Sequence, residues 1–249
     1  MNEQCRQHVM HIVSGDLWAG AEVQLFTLAS AQHLQPGMKV SVIIFNAGRL
    51  ERELRDAGVT VVVLDEAQHN GIGLALKLVR IIRELAPDII HTHRTKENIL
   101  GSIAAVLNGK PSLRTAHGAA EHAASFLDIP GRMIRFLDRF TGRFLQKKVI
   151  AVSEDLAGLL ARDFPPDRIH VIENGINIDS LTGSLEKSRG QVTSTGLGVG
   201  IAGRLVPVKR VDLFIRTSKY LHDKARELEL HFHNNGEGPM RDELVELAR

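Results

Sequence analysis

The sequence has one cysteine, one tryptophan, one tyrosine and no run of about 18 or more apolar residues. A single cysteine, Cys5, excludes an internal disulfide framework and fits a reducing compartment. Without a long apolar run there is no candidate membrane-spanning helix. Met1–Gln7 carries Glu3 and Arg6 and lacks an apolar centre, so it does not read as a secretory signal. A cytoplasmic chain is the resulting expectation. Net charge is only +2, which gives no general electrostatic case for a nucleic-acid partner. The pI near 8.8 is a weak hint of anionic ligands. The segment Ser14–Glu22, which joins the first strand to the first helix, is not G-x-G-x-x-G, so a dinucleotide fingerprint is not supported there. There is no short repeat and no low-complexity tract.

What is present is an alternation. Short β-branched runs occur at Val9–Val13, Val40–Phe45, Val59–Leu64, Ile89–His91, Leu113–Ala116, Val149–Val152 and Ile169–Ile172. Segments of helical period lie between them, at Ala21–Leu34, Leu50–Ala57, Leu74–Leu85, Asn98–Leu107, Arg132–Leu145 and Glu154–Arg162. Runs apolar at consecutive positions are buried on both faces, which predicts a parallel sheet covered by helices. The fold class is α/β, doubly wound, with ligands expected at the carboxyl ends of strands. The pattern predicts a first domain over 1–178 and a Ser/Thr/Gly-rich linker over 179–196. A second βαβα pattern over 197–249 is too small to bury an ordinary core, so it is expected to be part of a larger domain.

The most informative segment runs from Gly200 to Asp212. A strand leads into Gly203, and a helix is expected from about Arg210. Gly203 lets the backbone approach a ligand. Arg204 offers a planar fork of donors and Lys209 a point charge, beside a helix N-terminus that favours anions. Cations in a first helical turn oppose the macrodipole by roughly 0.3–1 kcal/mol each, a cost that a diphosphate would cancel. The alternative is that Lys209 and Arg210 are merely solvated.

Gly203-Arg204-Leu205, then Lys209 and Asp212-Leu213, resembles the G-R-L-x-x-x-K-G-x-D-x-L signature of family-4 retaining glycosyltransferases of the GT-B fold. Further segments are similar to the family's in the same order. They are Gly20 with Glu22, Pro87–His93, Thr115–Gly118, Ala151–Ser153, Ile172–Ile176 and Gly236–Pro239. The resemblance implies tandem Rossmann-like domains and transfer of a sugar from a nucleotide diphosphate to a hydroxyl acceptor with retention. It places Gly20, Gly203, Arg204 and Lys209 at the donor diphosphate and His117 at the donor sugar, as catalytic residue. Glu22, His93, Asn174, Glu237 and Gly238 are implied as lining the donor or acceptor cleft. A nucleotide sugar and a glycan or lipid-linked acceptor are the implied partners. No D-x-D occurs, so no metal or other cofactor is expected and cations would stabilise the leaving group instead.

Two departures from the family pattern carry expectations of their own. Arg210 replaces the usual Gly at the helix start, and Ala19 replaces the first Gly of the G-G-x-E loop. If either site needs positive φ it is strained. The family's E-x7-E pair is not reached before Arg249, so this chain alone is expected to have little transferase activity. A sugar-nucleotide epimerase of similar architecture and a non-catalytic binding fragment are the alternatives.

Three other features carry expectations of their own. His91 and His93 flank Thr92 and are expected on opposite sides of their strand, which speaks against a shared metal site. Trp18 could cover a sugar face or simply pack. Arg132, Arg135, Arg139 and Arg143 recur at helical spacing beside Met133, Phe136, Leu137, Phe140 and Phe144. The favoured expectation packs the apolar stripe on the sheet and leaves the arginines as its solvated edge. The alternative lays the helix on anionic lipid at the inner face of the membrane.

Overall fold

The computed structural model describes residues 7–15, 18–118, 129–178, 182, 196–225 and 227–249. Cys5, Asp16, Leu17 and nearly all of the expected linker 179–196 lie outside them. The chain divides into two compact units, Met1–Ile178 and Asp179–Arg249.

Unit 1 holds seven strands: β1 (Gln7–Val13), β2 (Met38–Ile44), β3 (Thr60–Val63), β4 (Ile89–Thr92), β5 (Ser112–Ala116), β6 (Lys148–Ala151) and β7 (Ile169–Val171). They form one parallel sheet in the order β3-β2-β1-β4-β5-β6-β7. Its helices are α1 (Gly20–His33), α2 (Arg49–Asp56), α3 (Gly71–Leu85), α4 (Thr95–Leu107), α5 (Ile129–Phe144) and α6 (Glu154–Leu160). The central strands are apolar at consecutive positions because both faces are covered. Met10, Ile12, Ile43 and Phe45 pack with Leu74, Leu78 and Ile82 of α3. Val13, Val40, Val42 and Ile44 pack with Leu25 of α1 and with Leu50 and Leu54 of α2. Strand order reverses between β1 and β4, and in such sheets ligands bind beyond the carboxyl ends at this reversal.

Helix starts follow local chemistry. The Asn70 side chain accepts from the Gly73 N–H at 2.8 Å to open α3, and the Ser153 side chain accepts from the Leu156 N–H at 3.2 Å to open α6. Ala19 has no such side chain. Its own N–H donates to the Glu22 carboxylate at 3.2 Å, and its backbone is extended (φ −131°, ψ −173°). The position therefore does not need a glycine, and Ala19 is unstrained.

Helix α5 overturns the favoured expectation for the basic segment. Its apolar stripe does not pack on the sheet: Phe136 is 62% exposed and Phe144 63%, and Met133, Leu137 and Phe140 are exposed too. Phe136, Phe140 and Phe144 instead stack along the helix, with ring centroids 6.3 and 5.0 Å apart. The buried face is polar. Asp138 and Thr141 meet Arg114 of β5, which is itself buried. The Arg114 guanidinium donates to Asp138 Oδ1 at 2.8 Å, to the Asp138 carbonyl at 3.0 Å and to Gln146 Oε1. Asn98 and Thr92 extend the network, through Asn98 to Asp138 (3.3 Å) and Gln146 to Thr92 (2.9 Å). A side chain at Gly142 would come within 2.8 Å of the same guanidinium. A strand-borne arginine in the core needs acceptors, and α5 supplies them.

Unit 2 pairs β8 (Leu197–Ala202) with β9 (Leu230–Asn235) in parallel and adds α7 (Val211–Lys224) and α8 (Arg241–Ala248). Leu205, Val211 and Leu244 form its buried cluster. The loops beyond the two strands continue the ladder: the Gly203 N–H donates to the Asn235 carbonyl (3.0 Å) and the Leu205 N–H to that of Glu237 (2.9 Å). This close backbone approach leaves no room for a Cβ at Gly236 or Gly238. It explains the two glycines of the Gly236–Pro239 segment in structural terms.

Candidate functional site

The carboxyl ends of β1, β4 and β5 gather four histidines. His11 and His91 are register partners across the β1–β4 pair. His93 and His117 lie just past the ends of β4 and β5. The expectation that His91 and His93 face opposite sides is wrong: their ring centroids are 4.3 Å apart. Positions i and i+2 of a strand share a face, so the spacing itself argues for the observed arrangement. His93 is also buried rather than facing a cleft, and its ring sits between His11 and His117.

The contacts run in series. Gln32 Oε1 lies 2.7 Å from His11 Nε2, His11 Nδ1 lies 3.0 Å from His93 Nε2, and His93 Nδ1 lies 3.2 Å from His117 Nε2. His91 Nε2 is 2.7 Å from the Thr115 hydroxyl. Burial holds these imidazoles neutral. His11 is pushed down to about 4 by loss of solvent. His117, half-buried, is also pushed down to about 4, by burial and then by the nearby Arg94 cation. His91 and His93 lie well below the ordinary value, chiefly through burial and then through the neighbouring imidazoles. Ligand nitrogens of His11, His91 and His93 all fall within 4.8 Å of one another, the one such grouping among the described residues. The spacing of His91 and His93 is thus no bar to a shared metal.

Around this cluster, Arg94 pairs with Glu22, which is fully buried. Glu22 thereby caps α1 and pairs with Arg94, and its buried side chain does not line a cleft as expected. The Ser14 hydroxyl donates to Glu97, whose carboxyl burial raises. Trp18 packs on Phe26 (6.1 Å) with the Arg49 guanidinium 4.6 Å from its ring. A Cβ at Gly20 would meet nothing within 4 Å. Asn174 is exposed, and the adjoining Gly175 is held by the Gln24 amide, its oxygen to the N–H (3.1 Å) and its nitrogen to the carbonyl (3.2 Å). His11 was missed in the sequence. Its signal was a histidine in the middle of an apolar strand.

In unit 2, Arg204 and Lys209 are both exposed at the carboxyl end of β8, with no ion pair or hydrogen bond to their side chains among the described residues. Lys209 closes a 3₁₀ turn, Pro207–Lys209, and α7 starts only at Val211, so neither Lys209 nor Arg210 lies in the first turn of that helix as expected. Gly203 has φ +156°. Arg210 is left-handed (φ 50°, ψ 40°) and pairs with Asp212 at 3.1 Å. Glu237 and Gly238 belong to the loop zipped against Leu205. A left-handed non-glycine residue costs roughly 1–2 kcal/mol, more than the exposed Arg210–Asp212 pair returns. Arg210→Gly should therefore stabilise unit 2 by roughly 0.5–1 kcal/mol, read as a rise in its urea midpoint.

The reversal of strand order at β1 and β4, the paired α/β units and the glycine-braced loop beyond β8 define a GT-B type fold. Anabaena HepE in complex with UDP superposes over 97% of this chain and 64% of its own, with TM-score 0.75 at 19% identity. The UDP-GlcNAc 2-epimerase of Neisseria meningitidis gives TM-score 0.59 at 15% identity, over 97% of this chain and 69% of its own. The profile of Glycosyltransferase Family 4 matches residues 18–180, and the chain belongs to that family. Among curated proteins it is similar to the Escherichia coli UDP-Gal:alpha-D-GlcNAc-diphosphoundecaprenol alpha-1,3-galactosyltransferase, 26% identical over 178 residues. That match covers 68% of this chain and 45% of the relative. The GDP-mannose:cellobiosyl-diphosphopolyprenol alpha-mannosyltransferase of Xanthomonas campestris is 32% identical over 85 residues, 34% of this chain and 22% of the relative. The chain thus spans about half the length of the first of these relatives. Among the described residues no helix is long and apolar enough to cross a membrane.

Proposed function

We propose that this chain is part of a retaining glycosyltransferase that moves a sugar from a nucleotide diphosphate to a lipid-linked acceptor. In this reading residues 1–178 serve the acceptor and 197–249 the nucleotide sugar. The observation that carries it is the pair of exposed cations at the carboxyl end of β8, unpartnered among the described residues. Arg204 and Lys209 meet the diphosphate there and stabilise its charge as the sugar leaves, without a metal. His117 meets the donor sugar. The epimerase alternative shares the fold but not the family match.

Each charge-assisted contact to phosphate contributes about 1.5–3 kcal/mol. Arg204→Ala and Lys209→Ala should each weaken binding of UDP or GDP by roughly 10- to 100-fold in titration calorimetry, with no effect of EDTA on the unmodified chain. Equal binding by the variants would remove the diphosphate assignment.

The acceptor reading rests on both curated relatives being named for sugars on polyprenyl diphosphates, and on α5. Its exposed Phe136, Phe140 and Phe144, with Arg132 and Arg135 on the same helix, suit the inner face of an anionic membrane. Arg139 and Arg143 are committed elsewhere: Arg139 pairs with Asp163 at 3.1 Å, and Arg143 donates to the Asp163 carbonyl. Of the four arginines in the stripe, Arg132 and Arg135 therefore carry the lipid contact. The chain should co-sediment with phosphatidylglycerol vesicles but not with phosphatidylcholine vesicles. The triple Phe136→Ser, Phe140→Ser, Phe144→Ser variant should stay in the supernatant.

A further inference from the structure

The series of imidazoles in unit 1 has a direction. Gln32 presents its amide oxygen, which can only accept, so His11 must carry its proton on Nε2. A neutral imidazole has one donor and one acceptor, which leaves His11 Nδ1 bare. His93 Nε2, 3.0 Å away, must then donate to it, and His93 Nδ1 is bare in turn. The same step assigns the proton between His93 and His117, 3.2 Å apart, to His117 Nε2. We propose that Gln32, His11 and His93 are positioning residues that hold His117 in a single tautomer, protonated at Nε2 and bare at Nδ1.

Every link in this series is between side chains from different elements: Gln32 on α1, His11 on β1, His93 beyond β4 and His117 beyond β5. The sheet spaces them, and the burial of His11 and His93 excludes the water that would otherwise let these two rings exchange partners. His91 stands beside the series, but its Thr115 partner can donate or accept and fixes nothing. The consequence for chemistry rests on the transferase reading of His117. A bare Nδ1 accepts a hydrogen bond from a sugar hydroxyl and cannot donate one. Burial and the Arg94 cation both oppose a second proton on the ring. The site therefore selects a sugar that keeps a free hydroxyl at the position facing His117, and it discriminates against deoxy, fluoro or O-methyl analogues there.

The test reads the tautomer directly and needs no turnover. The 249-residue chain, labelled with ¹⁵N-histidine and free of nucleotide and sugar, is examined at pH 7 through its two-bond proton–nitrogen couplings. His11, His93 and His117 are each expected to show a pyrrole-type Nε2 and a pyridine-type Nδ1. Gln32→Leu, at a half-buried position where shape is kept, should leave His117 a mixture of tautomers, and His93→Phe should do the same. The unmodified spectrum decides even if His93→Phe fails to fold. A His117 protonated at Nδ1, or one unchanged in Gln32→Leu, overturns the proposal. So does stoichiometric zinc held by the chain and lost in His11→Asn, because a metal would take the lone pairs the series requires. An Nε2-protonated His117 in a chain that binds no nucleotide sugar upholds the tautomer and overturns the transferase reading instead.

Discussion

Asp138→Ala should cost unit 1 about 3–5 kcal/mol, enough to unfold most of a marginally stable domain at 25 °C. Arg114 and Asp138 have side chains only 3% exposed, so removing the carboxylate deprives a guanidinium in the core of this ion pair. Gln146, the Thr141 hydroxyl and the Asp138 carbonyl also accept from it, and as neutral groups they do not balance the charge. Asn98 loses its acceptor on Asp138 at the same time. The double variant Arg114→Met, Asp138→Leu removes both charges and should recover most of the loss, since apolar replacements of a buried pair are often neutral or stabilising. Urea unfolding of the three chains gives the comparison. If Asp138→Ala costs less than 1 kcal/mol, Arg114 is solvated and α5 is not docked through it.

Acid should destabilise unit 1 over a defined window. His11 titrates near 6.5 when unfolded and near 4 when folded. Above pH 6.5 it is neutral in both states and contributes no penalty. As pH falls through 6.5 the unfolded chain takes up a proton that the folded chain refuses, so stability declines until about pH 4 and then levels. At about 1.4 kcal/mol per pKa unit, His11 alone accounts for on the order of 3 kcal/mol across that window. His117 acts over the same range, and His91 and His93, which burial also holds well below the ordinary value, add to the loss. Glu97 works the other way: burial raises its carboxyl, so the folded state binds that proton first and returns part of the loss on acidification. The net expectation is a urea midpoint that falls steeply between pH 6.5 and 4. A midpoint flat from pH 7 to 5 would mean that the four rings are open to water.

The parallel sheet was legible because both faces of β1 and β2 are covered, which leaves no polar alternation in Val9–Val13 or Val40–Ile44. The loop with Arg204 and Lys209 was legible from the types and spacing of its residues. Two things were not. Helix α5 displays a strong apolar stripe, and pattern alone assigns such a stripe to the core. The contrary signal was Arg114 in the middle of the β5 run, since a charge there must draw polar groups inward. The histidine series was hidden because its members come from four elements far apart in sequence. What could be seen was the i, i+2 spacing of His91 and His93, which places them on one face. At Arg210 the departure from the family glycine did mark a real left-handed position, whereas the parallel departure at Ala19 marked nothing, because that backbone is extended.

The polar docking of α5 also decides how the helix behaves beside lipid. A helix fastened by greasy contacts gains nothing by staying put once acyl chains offer the same contacts, and it can peel away into the bilayer. The Arg114–Asp138 fastening responds in the opposite sense. It tightens as the surrounding dielectric drops. In the proposed lipid contact, helix α5 would dip its phenylalanines into a membrane and withdraw them without coming loose from the domain that carries it.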